Sequence, residues 1–225
     1  MIIGGDNMGI ADNVKDIKRR IHGAAKRAGR NPDAVKLIAV TKTVGVPEIR
    51  ELLACGVNNI GENRLQVAMP KIEELADMGI NWHFIGSLQS NKVKKIIEHF
   101  ECIHSVDSVR CAEEIQKRAE AVGKQVKVLL EVNVSGESSK HGLSPNKLFE
   151  VLESCNDLDN VIVQGLMTMA PLTDDFETAR PYFQKLKQLC KKYGLTECSM
   201  GMTDDFEVAV EEGATMVRIG RALFI

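Results

Sequence analysis

Eight times along this chain a short apolar, β-branched run gives way to a longer segment with helical periodicity. The runs lie at 35–42, 57–61, 80–86, 102–106, 126–134, 161–169, 195–201 and 214–220. The helical patterns between and after them lie at 47–55, 64–78, 91–100, 108–122, 145–156, 174–193 and 204–212, with one more at 13–29 ahead of the first run. Such alternation predicts parallel βαβ units joined by right-handed crossovers. An open, doubly wound sheet of eight strands is one solution. A single-domain (β/α)8 TIM barrel over residues 1–225 is the better fit, because the count is eight and no break in composition divides the chain into halves. The chain stops at Ile225, directly after the eighth run, so helix 13–29 is expected to cover the place of a final barrel helix.

The punctuation agrees. Ser108 precedes a helical pattern, and Ser144-Pro145 puts proline at a first helical position. Glycines from Gly29 to Gly213 fall just past helix ends, where a left-handed residue is needed. At 225 residues the chain is long enough to bury most of the surface it exposes unfolded, so a real core is expected. Its 29 Lys plus Arg against 31 Asp plus Glu leave no broad basic surface for nucleic acid. The basic stretches at 18–20, 92–95 and 185–192 read as solvated helix faces. No apolar run approaches the roughly 18 residues of a membrane span, and residues 1–8 lack the basic-then-apolar pattern of a secretory leader. Six cysteines without a CxxC pair resemble neither a zinc site nor a disulfide framework. They are expected as small buried hydrophobes in a reducing, cytoplasmic compartment. Cys102 and His104 share a strand face, but two ligands do not make a zinc site.

In a barrel the chemistry belongs at the C-terminal ends of the strands. If Lys42 points inward, period-two alternation puts Ile38 and Val40 inside with it and Leu37 and Ala39 against helices. A lysine on an apolar strand is desolvated, which frees its amine for attack on a carbonyl; a lysine snorkelling at a strand end is the alternative. In the eighth run Arg218 and Gly220 share a face. An inward arginine keeps its charge and requires an acceptor or anion, and glycine lets the backbone approach a ligand. Ser199-Met200-Gly201-Met202-Thr203, before a helix expected near Asp204, offers hydroxyls and amides suited to phosphate, or a plain helix cap at Thr203. Glu131 and Asn133 are expected to face inward together. Met167 and Met169 read as core filler, and His83 as a satisfied core histidine. A lysine, an arginine and a phosphate-compatible loop around one mouth fit pyridoxal 5′-phosphate (PLP), which needs a lysine for its aldehyde, a partner for its ring nitrogen and a phosphate cradle.

Seven segments in order carry a resemblance: Ala39-Val40-Thr41-Lys42-Thr43, Gly61-Glu62-Asn63-Arg64, the run from His83 through Ile85-Gly86-Ser87 to Lys92, Glu131-Val132-Asn133, Gly165-Leu166-Met167-Thr168-Met169, Ser199 through Thr203, and Val217-Arg218-Ile219-Gly220. Together they resemble the pyridoxal phosphate homeostasis protein family, whose barrel is similar to the N-terminal domain of alanine racemase without that enzyme's second domain. The resemblance implies that Lys42 forms the internal aldimine and that Arg218 approaches the pyridine nitrogen. It implies that Ser199, Thr203 and the amides of Gly220 and Arg221 hold the phosphate, with Asn63 near the ring and Met200 packing beside it. Thr41 stands where such proteins commonly carry serine.

A racemase needs two bases, one on each face of the substrate α-carbon. Lys42 can be one. In alanine racemase the other is a tyrosine brought by a partner subunit, whereas the two tyrosines here, Tyr182 and Tyr193, fall in or at the end of a helical pattern. An arginine at the ring nitrogen also weakens the ring as an electron sink. The expectation is a monomeric, non-catalytic protein that buffers PLP or delivers it to apo-enzymes in vitamin B6 and amino-acid balance. The alternative is a weak PLP-dependent racemase or lyase. Lys140, in the loop after the fifth run, is either a second lysine near the mouth or a solvated loop residue.

Overall fold

In the computed structural model, residues 9–137, 140–171 and 173–225 are described. The expectation about a leader at 1–8, and Ser138 and Ser139 of the loop before Lys140, lie outside them. Eight parallel strands close on themselves in chain order: β1 (Lys36–Val40), β2 (Asn59–Glu62), β3 (Asn81–Phe84), β4 (Cys102–Val106), β5 (Val126–Glu131), β6 (Val161–Met167), β7 (Glu197–Ser199) and β8 (Met216–Ile219). Closure is made by β8 returning to β1, with Ile38 opposite Arg218 and Leu37 opposite Val217. The open sheet is thereby excluded.

Helices α2 (Val46–Ala54), α3 (Leu65–Glu74), α4 (Val93–His99), α5 (Val109–Glu120), α6 (Leu148–Asn156), α7 (Arg180–Lys192) and α8 (Phe206–Glu211) cover the outside, and a short turn, α9 (Arg221–Phe224), follows β8. The N-terminal helix α1 (Ile10–Arg27) packs on α8 and α9, as expected for the gap. Arg20 and Arg27 both pair with Glu207 on α8, at 2.8 and 3.2 Å. Among the described residues no helix is long and apolar enough to cross a membrane.

The elements end where local hydrogen bonds end them. Helix α8 begins two residues later than the pattern suggested, because the Asp205 carboxylate first accepts the Met202 N–H at 2.6 Å. That bond, rather than Thr203, caps the turn. The 174–193 pattern splits into a 3-10 turn (Phe176–Ala179) and α7, with Pro181 in the first turn of α7, where its missing N–H costs nothing. Strand β5 stops at Glu131, and Asn133 leaves the barrel face. Its side chain instead donates to Glu137 O at 2.9 Å and accepts from Ser135 and Gly136.

Alternation sorts the apolar residues into two layers. Leu37, Ala39, Leu130, Val217 and Ile219 join the large core between strands and helices. Ile38, Cys102, Leu129, Met167 and Met216 form a small inner cluster inside the barrel. All six cysteines are free, four of them buried.

Two buried polar groups interrupt these layers. On the outer side, Glu62 Oε1 accepts from Lys71 Nζ at 2.6 Å and from Thr41 Oγ1 at 2.7 Å, while Lys71 Nζ also donates to Thr41 O at 2.8 Å. This ion pair ties α3 to the ends of β1 and β2 and fixes the peptide that leads into Lys42. Inside the barrel a polar chain crosses the axis. Arg218 Nη1 lies 2.6 Å from Ser199 Oγ, Ser199 Oγ 3.0 Å from His104 Nδ1, His104 Nε2 3.0 Å from His83 Nδ1, and His83 Nε2 3.2 Å from Asn59 Oδ1. Burial, reinforced by Lys36, pushes His83 down to about 4. His104 is pushed well below the usual imidazole range by burial and then by His83 and Arg218.

Two measurements check this packing. Lys71→Met should cost about 3–5 kcal/mol in urea unfolding, because it strands the Glu62 carboxylate in a dry site. Lys71→Met with Glu62→Leu should regain most of that loss, and a single variant as stable as the parent would show the pair to be solvated. Both histidines are neutral when folded, while in the unfolded chain they titrate near 6.5. Below that pH the unfolded chain binds more protons, so stability is flat above about pH 6.5 and falls as pH drops toward 4. The slope is about 1.4 kcal/mol per pH unit for each histidine. Between pH 7.5 and 5.5 the parent should lose on the order of 2 kcal/mol, and His83→Gln should lose less. Equal slopes would mean that His83 is not held neutral.

Candidate functional site

At the C-terminal ends of the strands the barrel opens into a cavity of about 930 Å³. Its lining includes Lys42, Asn63, Thr203, Arg218, Gly220 and Arg221, six of the eight residues singled out from the sequence. They come from the ends of β1, β2, β7 and β8, which lie far apart in the chain and meet because the barrel closes.

Lys42 stands two residues beyond β1, in a turn closed by Val44 N donating to Thr41 O at 3.1 Å. It is exposed to the cavity rather than embedded among Ile38 and Val40, so the expected desolvation on an apolar strand is corrected. Its parity is still that of inward-facing Ile38. Among the described residues its amine has no hydrogen-bond or ion-pair partner. Asn63 is held by a close approach of two loops. A Cβ on Gly86 would sit 2.1 Å from Asn63 O, so only glycine lets the loop after β3 pass there. On the opposite side, Gly201 at φ +90° turns the chain between Ser199 and Thr203, with Ala209 and Phe206 directly behind it.

Arg218 forms the floor. It is 5% exposed and donates from Nη2 to Thr168 O at 2.9 Å as well as to Ser199. Burial lowers it to about 10, with Asp205 and Glu131 acting the other way, so it remains a cation at neutral pH. Among the described residues no carboxylate pairs with it. Glu131, at the cavity edge, is pushed above the usual carboxylate range by burial and then by Asp107.

Two of the expected residues lie outside the cavity lining. Ser199 is fully buried beneath the floor, and its hydroxyl is engaged by Arg218 and His104, so it is not among the cavity-lining groups. Met200 points the other way, into the core between strands and helices. Strand alternation explains both: Ser199 faces in but lies too deep, and its neighbour must face out. Sequence reasoning also missed residues that do line the cavity. Lys92, read as part of a solvated helix face, precedes α4 at the mouth, and Arg64 and His141 join it from loops. The polar positions after β2, β3 and β5 were the available signal. Met169, read as core, is 40% exposed at the mouth.

The charge balance is one-sided. Lys42, Arg64, Lys92, Arg218 and Arg221 face Glu131 and Asp204, and Arg221 already holds Asp204 at 2.6 and 2.8 Å. A cavity with surplus fixed cations attracts an anion. Thr203, the Gly220 backbone and Arg221 converge at one end, Arg218 forms the floor, and Lys42 supplies a free amine. A phosphorylated aromatic aldehyde has the three groups such a set would address.

Comparison with known proteins agrees with this geometry. The family described as "Alanine racemase, N-terminal domain" matches residues 10–225. A pyridoxal phosphate homeostasis protein from Aquifex aeolicus is 46% identical over 223 residues, covering 96% of this chain and 98% of that protein. One from Pseudomonas aeruginosa is 44% identical over 217 residues, covering 96% and 94%. The solved structure of PipY from Synechococcus elongatus with PLP bound is 38% identical, superposes with a TM-score of 0.81, and covers 93% of this chain and all of that one. The chain belongs to the pyridoxal phosphate homeostasis protein family, built on the barrel of the alanine racemase N-terminal domain.

Proposed function

We propose that the cavity binds PLP and that the protein buffers the cofactor, or delivers it to apo-enzymes, without robust catalysis of its own. The observation that carries this reading is the pairing, in one cavity, of a lysine amine with a buried arginine, the first without a partner and the second without a carboxylate among the described residues. The Lys42 amine would condense with the cofactor's aldehyde, releasing one water. Thr203, the amides of Gly220 and Arg221, and the Arg221 side chain would hold the phosphate. Asn63 would lie beside the ring. Arg218 would donate to the ring nitrogen, and an arginine there keeps that nitrogen unprotonated, which mutes the electron-withdrawing chemistry PLP supplies when bound.

The carrier role is supported by what surrounds the amine. Tyr182 and Tyr193 do not line the cavity. The mouth is open, as release of a cofactor requires. The related proteins carry homeostasis in their names, and six unpaired cysteines suit the reducing cytoplasm. A cytoplasmic monomer is part of the same reading. The racemase reading keeps one specific observation in its favour: His141 lines the cavity and could act as a second base opposite Lys42.

Purified protein mixed with PLP should develop a near-visible absorption band that Lys42→Ala abolishes; a band that survives the substitution would remove Lys42 from the linkage. Thr203→Val should weaken cofactor binding by about 1.5–3 kcal/mol, the range for a lost hydrogen bond to a charged group. Unchanged affinity would place the phosphate elsewhere. Incubating the loaded protein with L-alanine and following optical rotation decides between the two roles. No inversion supports the carrier, whereas inversion that His141→Ala eliminates would establish a two-base racemase.

A further inference from the structure

The chain from Asn59 to Arg218 has a single consistent direction. Arginine only donates, so Ser199 Oγ accepts from Arg218 Nη1 at 2.6 Å. A buried hydroxyl that accepts there keeps its own proton bonded by giving it to His104 Nδ1, 3.0 Å away. His104 then carries its proton on Nε2 and donates to His83 Nδ1 at 3.0 Å. His83 in turn carries its proton on Nε2 and donates to Asn59 Oδ1 at 3.2 Å. The imidazoles meet edge to face, with planes at 84°. Each link leaves no polar atom orphaned, and both rings are neutral.

We propose that His104 and His83 are positioning residues for the cavity: through Ser199 they hold the Arg218 guanidinium in one orientation, leaving three of its five N–H groups free of this framework to face a ligand. The Thr168 carbonyl, fixed by its own Oγ1 donating to Val132 O at 2.7 Å, sets the other edge of the guanidinium. The chain starts at Asn59, on the barrel's opposite rim, so the arginine is braced across the full depth of the barrel. This explains why a hydroxyl suited to phosphate lies beneath the floor instead of in the cavity. Its place is between a cation and an imidazole.

Cys102 offers the competing use of the same atoms. Its sulfur and one nitrogen each of His83 and His104 lie within 4.8 Å of one another, all buried. A metal bridging His83 Nδ1 and His104 Nε2 needs both nitrogens bare. His104 would then be protonated on Nδ1, and Ser199 would receive two donors while its own proton lost its partner. Burial also pushes the Cys102 thiol up to about 12, against formation of the thiolate a metal requires.

The test begins with the ligand-free protein, so it does not depend on the cofactor reading. Nitrogen-15 NMR at pH 7 should show His83 and His104 both neutral and protonated on Nε2, and Ser199→Ala should shift the Nδ1 signal of His104. Either ring found as an imidazolium or protonated on Nδ1 would overturn the proposal. So would stoichiometric uptake of Zn²⁺ that Cys102→Ser abolishes. In a second arm, His104→Leu should weaken PLP binding roughly tenfold or more, the scale of one charge-assisted contact, and should shift the absorption of the bound cofactor. His104→Asn, which keeps an acceptor for Ser199, should restore both. If His104→Leu fails to fold, Ser199→Ala is read in its place. Unchanged spectrum and affinity in the folded variant would end the positioning role, whereas a parent protein that develops no band with PLP would instead end the PLP reading and leave the NMR arm standing.

Discussion

A strand in a closed barrel has two faces, and every residue must take one of them. That constraint decides most of this molecule. Once β8 pairs with β1, residues 38 and 218 are committed to the interior, and 37 and 217 to the helices. The interior is narrow, so small and medium apolar side chains fill its middle. At the C-terminal end the filling stops, and a lysine, an asparagine and an arginine from distant parts of the chain are left around one opening. No long-range attraction between them is needed to assemble the site. Backbone pairing brings them together, and the surplus positive charge is tolerated because the cavity is open to water and to anions.

The buried arginine is the costly part of this arrangement. A guanidinium without a carboxylate partner is strongly disfavoured in an apolar interior. Here two neutral acceptors, a hydroxyl and a carbonyl, share its protons, and the residue also lines the cavity. Had a carboxylate been supplied at contact distance, the arginine would be more comfortable and far less able to bind a ligand. Glu131 and Asp205 influence it electrostatically, each favouring its charged form, without an ion pair among the described residues.

The architecture was legible because its signals are periodic and repeated eight times. Strand boundaries were less so: the run from Val132 to Val134, beyond the end of β5, looked like strand until the loop claimed Asn133. Of the six candidate residues that reached the cavity, Lys42, Arg218 and Gly220 were readable from parity along a strand, Thr203 from its place before a helix, and Asn63 and Arg221 only from the resemblance. Depth is not readable in this way. Ser199 shares a face with the interior but lies one layer too low, and nothing local in its sequence records how far the barrel floor rises around it. The outward turn of Met200 follows from the same alternation, so its assignment beside the ring, which came from resemblance, conflicts with the strand pattern around it. Lys92 shows the converse error, since a basic helix end reads as solvated surface until the curvature of the barrel brings it to the mouth.

The same geometry bears on why such a barrel would carry a reactive cofactor without exploiting it. Catalysis at an α-carbon requires an electron-deficient ring, two positioned bases and exclusion of water. Lys42 projects from a turn into an open cavity, and the turn is anchored from behind by the Glu62–Lys71 pair through Thr41. An anchored, accessible amine suits repeated capture and release of an aldehyde. Arg218, braced from below and unable to yield its proton, would hold a ring nitrogen in its least activating state. In the carrier reading proposed above, the two features would act on opposite ends of the cofactor and serve one purpose: the bond to the protein would stay easy to make and break while the ring stayed weakly activated.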